Sequence, residues 1–273
     1  MSGEWRVLSV AGVGLIGGSF ALALRKAGFK GKIIGVSSSP TIAAALERSV
    51  IDEALPLAEA AAQSDVIYLA QPIERILGTL NVIDGMVRPG TLITDAGSTK
   101  RAIVERARDT IHRGRFVGGH PMAGKEVRGV EAADADLFRT RPYVLTAADP
   151  ELERWIEKIG ARIVKLDAVE HDRLVALVSH LPQLLSTTLA ALLHDHPEAA
   201  RIAGPAAADL TRLARSPYDI WRDIFATNAK EIDGVLANAI AQLQALRENL
   251  LSQPEMQATF VRAERAASQL RQT

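Results

Sequence analysis

The stretch Val117 to Gly129, "VGGHPMAGKEVRG", sets one histidine, His120, after two glycines and before a proline. Imidazole is the side chain best suited to exchange a proton near neutral pH. No partner stands beside it at metal-ligand spacing, and the glycines clear space for a ring. His120 is therefore either packing filler or a base presented to a small molecule, with no metal, and the glycine setting favours the second. A second cluster, "TDAGSTK" at 94–100, closes one apolar run and opens a helical one. Polar residues at the carboxyl ends of parallel strands line the ligand crevice, so Ser98 joins His120 as a candidate; Ser98 or Thr99 equally suits the cap of the next helix. Further along, "EHDRLVALVSHLPQLLSTTLA" (170–190) places His171, Ser179, His180 and Gln183 in one helix. Pro182 cannot donate to the Val178 carbonyl there, which predicts a kink. "DLTRLARSPYDIWRDIFATN" (209–228) carries Arg212 and Arg215, each either a bidentate carboxylate clamp or a surface ion pair, and Trp221, by default a core residue.

A cofactor signal lies near the start. "RVLSVAGVGLIGGSFALAL" contains Gly12-Val13-Gly14-Leu15-Ile16-Gly17 between a strand-like and a helix-like run. In that context the glycines form a dinucleotide fingerprint: Gly12 for the tight turn, Gly14 for close approach of a pyrophosphate, Gly17 for helix–strand packing. Leu15 and Ile16 begin the helix whose N-terminus would face the phosphates, and Gln71, ending a later strand candidate, joins the contact set. The second strand ends in Ser37, Ser38 and Ser39, where an NAD enzyme usually places an acid for the ribose hydroxyls. Both NAD and NADP stay open, with a lean toward NADP.

These groups need a scaffold. Strand candidates are 6–12, 32–37, 65–72, 91–97, 115–121, 142–147 and 161–167. Several are almost continuously apolar, as in strands covered on both faces. Helical stretches between them argue for βαβ units around a mostly parallel sheet. Beyond Asp167 no strand-like run follows, and apolar residues recur at helical spacing, as in Ile232, Val235, Leu236, Ala239, Ile240 and Leu243. The reading is an α/β domain at 1–167 and an all-helical domain at 168–273. Helical faces wider than a small domain needs suggest burial against a second subunit.

Composition narrows the classes. Thirty-two acidic residues balance thirty-two basic ones, so no overall field recruits nucleic acid or an anionic membrane. The absence of cysteine excludes disulfides and thiolate chemistry and fits a cytoplasmic protein. Residues 7–24 are uncharged, but glycines interrupt them and "MSGEWR" is no signal-peptide start; a buried strand and helix explain them better than a membrane span.

"GVGLIGGS", "DAGSTK", "GGHPMAGKEVRG", "HDRLVALVSHLPQ" and "LTRLARSPYDIWRDIFATN", in that order over residues 6 to 250, together resemble the prephenate and arogenate dehydrogenases of tyrosine biosynthesis. The resemblance implies a Rossmann-type doubly wound sheet domain followed by an all-α dimerisation domain. It also implies a homodimer and NAD(P)-dependent oxidative decarboxylation of a cyclohexadienol. It implies a chain with no chorismate mutase segment ahead and little room for a regulatory domain after residue 250. By the same resemblance His120 accepts the hydrogen bond or proton of the substrate's C4 hydroxyl, Ser98 orients that oxygen and Arg212 binds a carboxylate. Glu126 stands near the pocket mouth, Trp221 belongs to a segment supplied by the partner subunit, and His180 orients backbone. Two departures stand out. Gln183 replaces a histidine of many prephenate-specific relatives, and "GPAAADLTR" lacks the glycine and lysine that often precede the arginine. A neutral amide suits the keto group of prephenate or the ammonium of arogenate.

Other classes predict other features. A β-hydroxyacid dehydrogenase or imine reductase calls for a different hydrogen-bonding set in the helical domain, such as a catalytic lysine, and the surroundings of Lys230 do not fit. A non-catalytic dinucleotide sensor has no need of Ser98, His120 and Arg212 together.

Overall fold

Apolar runs bounded by glycine, proline and polar residues become the strands of a doubly wound sheet. The computed structural model describes residues 5–125 and 127–270. Strands β1 (Val7–Ala11), β2 (Lys32–Val36), β3 (Glu53–Ala54), β4 (Val66–Leu69), β5 (Leu92–Asp95) and β6 (Arg115–Val117) form one parallel sheet in the order β3-β2-β1-β4-β5-β6. Helices α1 (Leu15–Lys26), α2 (Ser39–Glu47), α3 (Leu57–Gln63), α4 (Ile73–Ile83) and α5 (Arg101–Thr110) connect them. The order reverses at β1 and β4, the switch point where ligands bind such sheets. The central strands are buried throughout, and Phe20 of α1 stacks on Tyr68 of β4 with ring centroids 4.0 Å apart. The uncharged stretch 7–24 is thus β1 and α1, packed in the core.

One strand expectation is corrected. Residues 115–121 are two strands, not one. After β6 the chain turns at Gly118 and enters a second sheet as β7 (Gly119–Pro121), antiparallel to β8 (Pro142–Leu145), which pairs in parallel with β9 (Arg162–Lys165). Gly118 exchanges hydrogen bonds with Thr146, and a Cβ there would stand 2.7 Å from Thr146 Oγ1. Gly119 passes so close to β5 that a Cβ would lie 2.6 Å from the Asp95 carbonyl oxygen. The two glycines permit the change of sheet, and His120 belongs to the second sheet, paired with Val144. β3, two residues long, has no apolar run to announce it. Helix α6 (Pro150–Lys158) leads into β9, with Asp149 capping its start.

The rest is helical: α7 (Ala168–Val175), α8 (Leu181–His194), α9 (Pro205–Thr211), α10 (Tyr218–Glu248) and α11 (Gln253–Leu270). The irregularity expected around Pro182 lies immediately before it, as a π turn at Ala176–His180 that accommodates the missing N–H. α10 has non-helical backbone at Asn228 (φ −134°, ψ 22°). The chain divides into two compact units just beyond, Met1–Ala229 and Lys230–Thr273. In the second unit α11 has no buried residue, and Leu243, Leu250, Leu251 and Phe260 are exposed.

Candidate active site

The glycine turn is shaped for a phosphate ligand. Gly12 has φ +92°, and a Cβ on it would stand 2.5 Å from the Ala70 carbonyl oxygen. A Cβ on Gly17 would collide with the Gly12 carbonyl oxygen. Gly14, by contrast, meets nothing within 4 Å on its Cβ side and opens directly onto a cleft. It caps α1 without a side chain, and the first turn of α1 carries no acid, so free N–H groups and the helix dipole face that space. These features fit a dinucleotide pyrophosphate.

The cleft, about 520 Å³, brings Gly14, Leu15, Ile16, Gln71 and Ser98 together, with further walls that include Lys125, Arg128, Ser216, Asp219 and Asp223. Gln71 is held by the Thr79 hydroxyl, which donates to its Oε1 at 2.9 Å. Ser37, Ser38 and Ser39 stand apart from this lining, exposed beyond the end of β2, with Ser38 Oγ 3.0 Å from Thr41 Oγ1. Neither Ser98 nor Thr99 caps α5. The carboxylate of Asp172, on α7, accepts from the N–H groups of Lys100 (2.7 Å) and Arg101 (3.0 Å), and Thr99 Oγ1 lies 2.7 Å from Thr227 Oγ1 on α10.

His120 is buried and does not line this cleft. Its Nδ1 lies 2.8 Å from His171 Nε2, and His171 Nδ1 lies 2.7 Å from Asp172 Oδ1. With both imidazoles neutral, the network assigns the proton positions. Asp172 acts as an acceptor toward two backbone N–H groups, so His171 donates to it through Nδ1. His171 Nε2 is then a lone pair, and His120 donates to it through Nδ1. The Nε2 of His120 is left bare, which is the form a proton acceptor requires. Burial, with His171, Lys100 and His180 around it, holds the His120 pKa well below 6.5, so the base form persists at neutral pH. His171, in the sequence only one of several polar residues on a helix, is the direct neighbour of His120. Its signal was the His–Asp pair at the first turn of a helix.

Beneath this line lies an ion pair. Lys100 and Asp95 are both fully buried and contact each other directly. Asp95 also accepts from the N–H groups of Gly97 at 2.7 Å and Gly119 at 3.1 Å. One carboxylate thereby ties the Ser98 loop to the strand of His120.

The remaining candidates lie on the helical elements. His180 ends the π turn, fully buried, its ring edge-on to Trp221 at 5.9 Å. The amide of Asn228, at the break in α10, donates to the Asp172 carbonyl at 2.9 Å and reaches His180 Nδ1 at 3.4 Å. The indole N–H of Trp221 donates to Ser216 Oγ. Gln183 is buried on α8, its Nε2 donating to Thr187 Oγ1 at 3.1 Å. Arg212 is exposed on a short 3-10 turn, Arg212–Arg215, which is tied to α8 by a bond from Ala214 N–H to Ser186 Oγ. Glu126 lies outside the described residues. Groups of three or more potential metal ligands are absent among the described residues.

Burial pushes the His180 pKa down to about 4, against the pull of Asp172. The unfolded chain binds a proton there near pH 6.5 and the folded chain only near 4, so stability is full above 6.5 and falls as pH drops toward 4. Thermal melts from pH 7 to 4 are expected to show this loss, and His180→Gln to reduce the slope in that window; an unchanged slope would remove His180 from the acid response.

A sheet that reverses between β1 and β4 and a glycine turn opening on a cleft define a dinucleotide-binding fold, and Asp95 ties the buried pair His120–His171 to the Ser98 loop of that cleft. Two family models match the chain, "Prephenate dehydrogenase, nucleotide-binding domain" over residues 20–170 and "Prephenate dehydrogenase, dimerization domain" over 167–263. The chain belongs to the prephenate dehydrogenase family. It is 38% identical over 226 residues to the prephenate dehydrogenase of Lactococcus lactis, covering 80% of this chain and 64% of that protein. Among solved structures it resembles Aquifex aeolicus prephenate dehydrogenase in complex with hydroxyphenyl propionate and NAD+, with a TM-score of 0.89, 28% identity and all of both chains covered. It also resembles Synechocystis arogenate dehydrogenase, with a TM-score of 0.82, 30% identity, and 97% of this chain and 99% of that one covered.

Proposed function

We propose that the chain is a prephenate dehydrogenase, carrying out the NAD(P)-dependent oxidative decarboxylation of prephenate. The observation that carries this reading is the buried line His120–His171–Asp172, tied through Asp95 to the Ser98 loop, in which neutral imidazoles leave His120 Nε2 as the acceptor. Gly14, Leu15, Ile16 and Gln71 would hold an oxidised nicotinamide dinucleotide, which would supply a hydride acceptor for C4 of the substrate. His120 accepts the hydrogen bond of the C4 hydroxyl and takes up the positive charge that hydride loss places on that oxygen. Ser98 orients the same oxygen, and Arg212 holds a carboxylate. The electrons of the C1–carboxylate bond pass into the ring as CO2 leaves, giving a 4-hydroxyphenyl product without net proton release. Aromatisation drives the step, so the protein's task is positioning and polarisation.

For the cofactor we favour NADP. The end of β2 offers Ser37, Ser38 and Ser39 and no acid to repel a 2′-phosphate. For assembly, a homodimer accounts for the apolar residues that a single chain leaves exposed, among them Leu177, Val178, Leu185 and Leu192. The expectation that a partner supplies the Trp221 segment is corrected: Trp221 packs on His180 of its own chain, and Ser216, Asp219 and Asp223 around it wall that chain's own cleft.

A four-way assay tests the reading. Prephenate or arogenate is offered with NAD+ or NADP+, and reduced nicotinamide is followed. Turnover is expected with prephenate and strongest with NADP+; the arogenate cells report what the Gln183 amide selects. Silence in all four, with dinucleotide still binding, would sink the assignment. Arg212→Ala is expected to raise KM for the organic acid about tenfold or more, the scale of a lost charged hydrogen bond. An effect confined to kcat would remove the clamp role.

A further inference from the structure

Two cations on the cleft wall have no part in the chemistry above. Lys125 and Arg128 follow His120 in the connection between β7 and the short turn Val130–Ala132, and both line the cleft into which Gly14, Leu15 and Ile16 open. That turn and the residues just after it are seated on the first turns of α1. The N–H of Asp134 donates to Ser19 Oγ at 2.9 Å, and Gly18 lies so near that a Cβ on it would stand 3.0 Å from the Ala133 Cβ and 3.4 Å from Val130. Lys125 and Arg128 therefore face, from the opposite wall, the space in front of the α1 N-terminus.

Each cation is paired with an acid on the surface. Lys125 Nζ lies 2.9 Å from Asp134 Oδ2 and Arg128 Nη1 3.1 Å from Asp219 Oδ2. The Asp219 side chain is 74% exposed. Exposed pairs of this kind contribute little and exchange readily for a better anion. A pyrophosphate carries two charges and several acceptor oxygens, and it prefers such donors over a single solvated carboxylate.

We propose that Lys125 and Arg128 clamp the dinucleotide pyrophosphate against the start of α1, with Asp219 holding Arg128 until the cofactor arrives. The proposal rests on the dinucleotide reading of the glycine turn and adds a second wall to that site. Because the clamp lies on the connection that leaves His120, cofactor binding also braces the strand that carries the base.

The test is direct binding, without turnover. Titration calorimetry with ADP-ribose, which carries the pyrophosphate but neither nicotinamide nor 2′-phosphate, is run on the wild type, Arg128→Gln, the double variant Lys125→Gln/Arg128→Gln, and Asp219→Asn. The expected Kd rises are about tenfold for Arg128→Gln and more for the double variant, with a weaker salt dependence. Asp219→Asn, which frees Arg128, is expected to bind about threefold more tightly, an effect that a merely structural role of the pair would not produce. A double variant within twofold of the wild type overturns the clamp, and so does a loss seen only as a higher KM for the organic acid. Binding in Asp219→Asn no tighter than in the wild type overturns the competition by Asp219. If the wild type binds neither ADP-ribose nor 2′-phospho-ADP-ribose, the dinucleotide reading itself fails, and the clamp with it.

Discussion

Replacing His120 with asparagine is expected to lower kcat about a hundredfold or more, the usual scale for a lost general base, while dinucleotide affinity stays close to that of the wild type. An asparagine amide can replace the bond from His120 to His171, but it cannot take up charge from a hydroxyl. The glycine turn and its cleft lie on other elements and remain. The wild-type rate has its own signature. Burial lowers the His120 pKa, so the protonated, inactive form appears only well below pH 6.5. Activity is therefore expected to hold through neutrality and to fall on the acid side far below the ordinary imidazole range. Asp172→Asn is expected to weaken the reaction by a second route. An amide in place of the carboxylate disturbs the alignment that leaves His120 Nε2 bare, as the loss of an orienting carboxylate does in other histidine relays. Rates measured from pH 4 to 9 on both variants decide the matter. A His120→Asn enzyme with unchanged kcat would remove the histidine from the mechanism.

Replacing Asp95 with asparagine is expected to destabilise the fold by about 3–5 kcal/mol, the cost of stranding one member of a buried ion pair. Lys100 is fully buried, and burial already lowers its pKa in spite of Asp95. Without the carboxylate the ammonium loses its direct partner, and the N–H groups of Gly97 and Gly119 lose a charged acceptor. Lys100→Met is expected to cost less, because Asp95 keeps both backbone donors. The midpoint of thermal unfolding should fall by about 10 °C for Asp95→Asn, at roughly 2–4 °C per kcal/mol for a chain of this size. Equal losses in the two variants would show that the backbone donors do not share the burden as described.

Much of the fold was legible because the strands are nearly continuous apolar runs. "RVLSVA", "KIIGV", "VIYL" and "LITD" can be little else when helical stretches separate them. The failures have physical causes. β3 is too short to carry a period. The run 115–121 keeps its apolar character across Gly118, so nothing in its hydropathy marks the change of sheet; the only sign is the glycine pair itself. At the site, His120 and Ser98 stood out because glycines and strand ends expose polar groups. His171 did not, since between Glu170, Asp172 and Arg173 it looks like one more polar residue of a helix start, and its contact with His120 spans 51 positions of the chain. Asp172 and Lys100 were hidden for the same reason. Their partners are set by tertiary packing, which spacing along the chain does not reveal.

The strand order has an evolutionary consequence. β2, which ends at the three serines, is separated from β5, which leads to Ser98, by β1 and β4. At ~4.8 Å per strand step, that distance is roughly 14 Å. The base lies farther still along the chain, on a different sheet reached through a glycine turn. If Ser37–Ser39 select the cofactor as proposed, drift there can retune the choice between two oxidant pools without touching the groups proposed to handle the proton. A lineage moving between metabolic settings needs few substitutions at one edge and none at the other, and a designer wishing to swap the cofactor can start there.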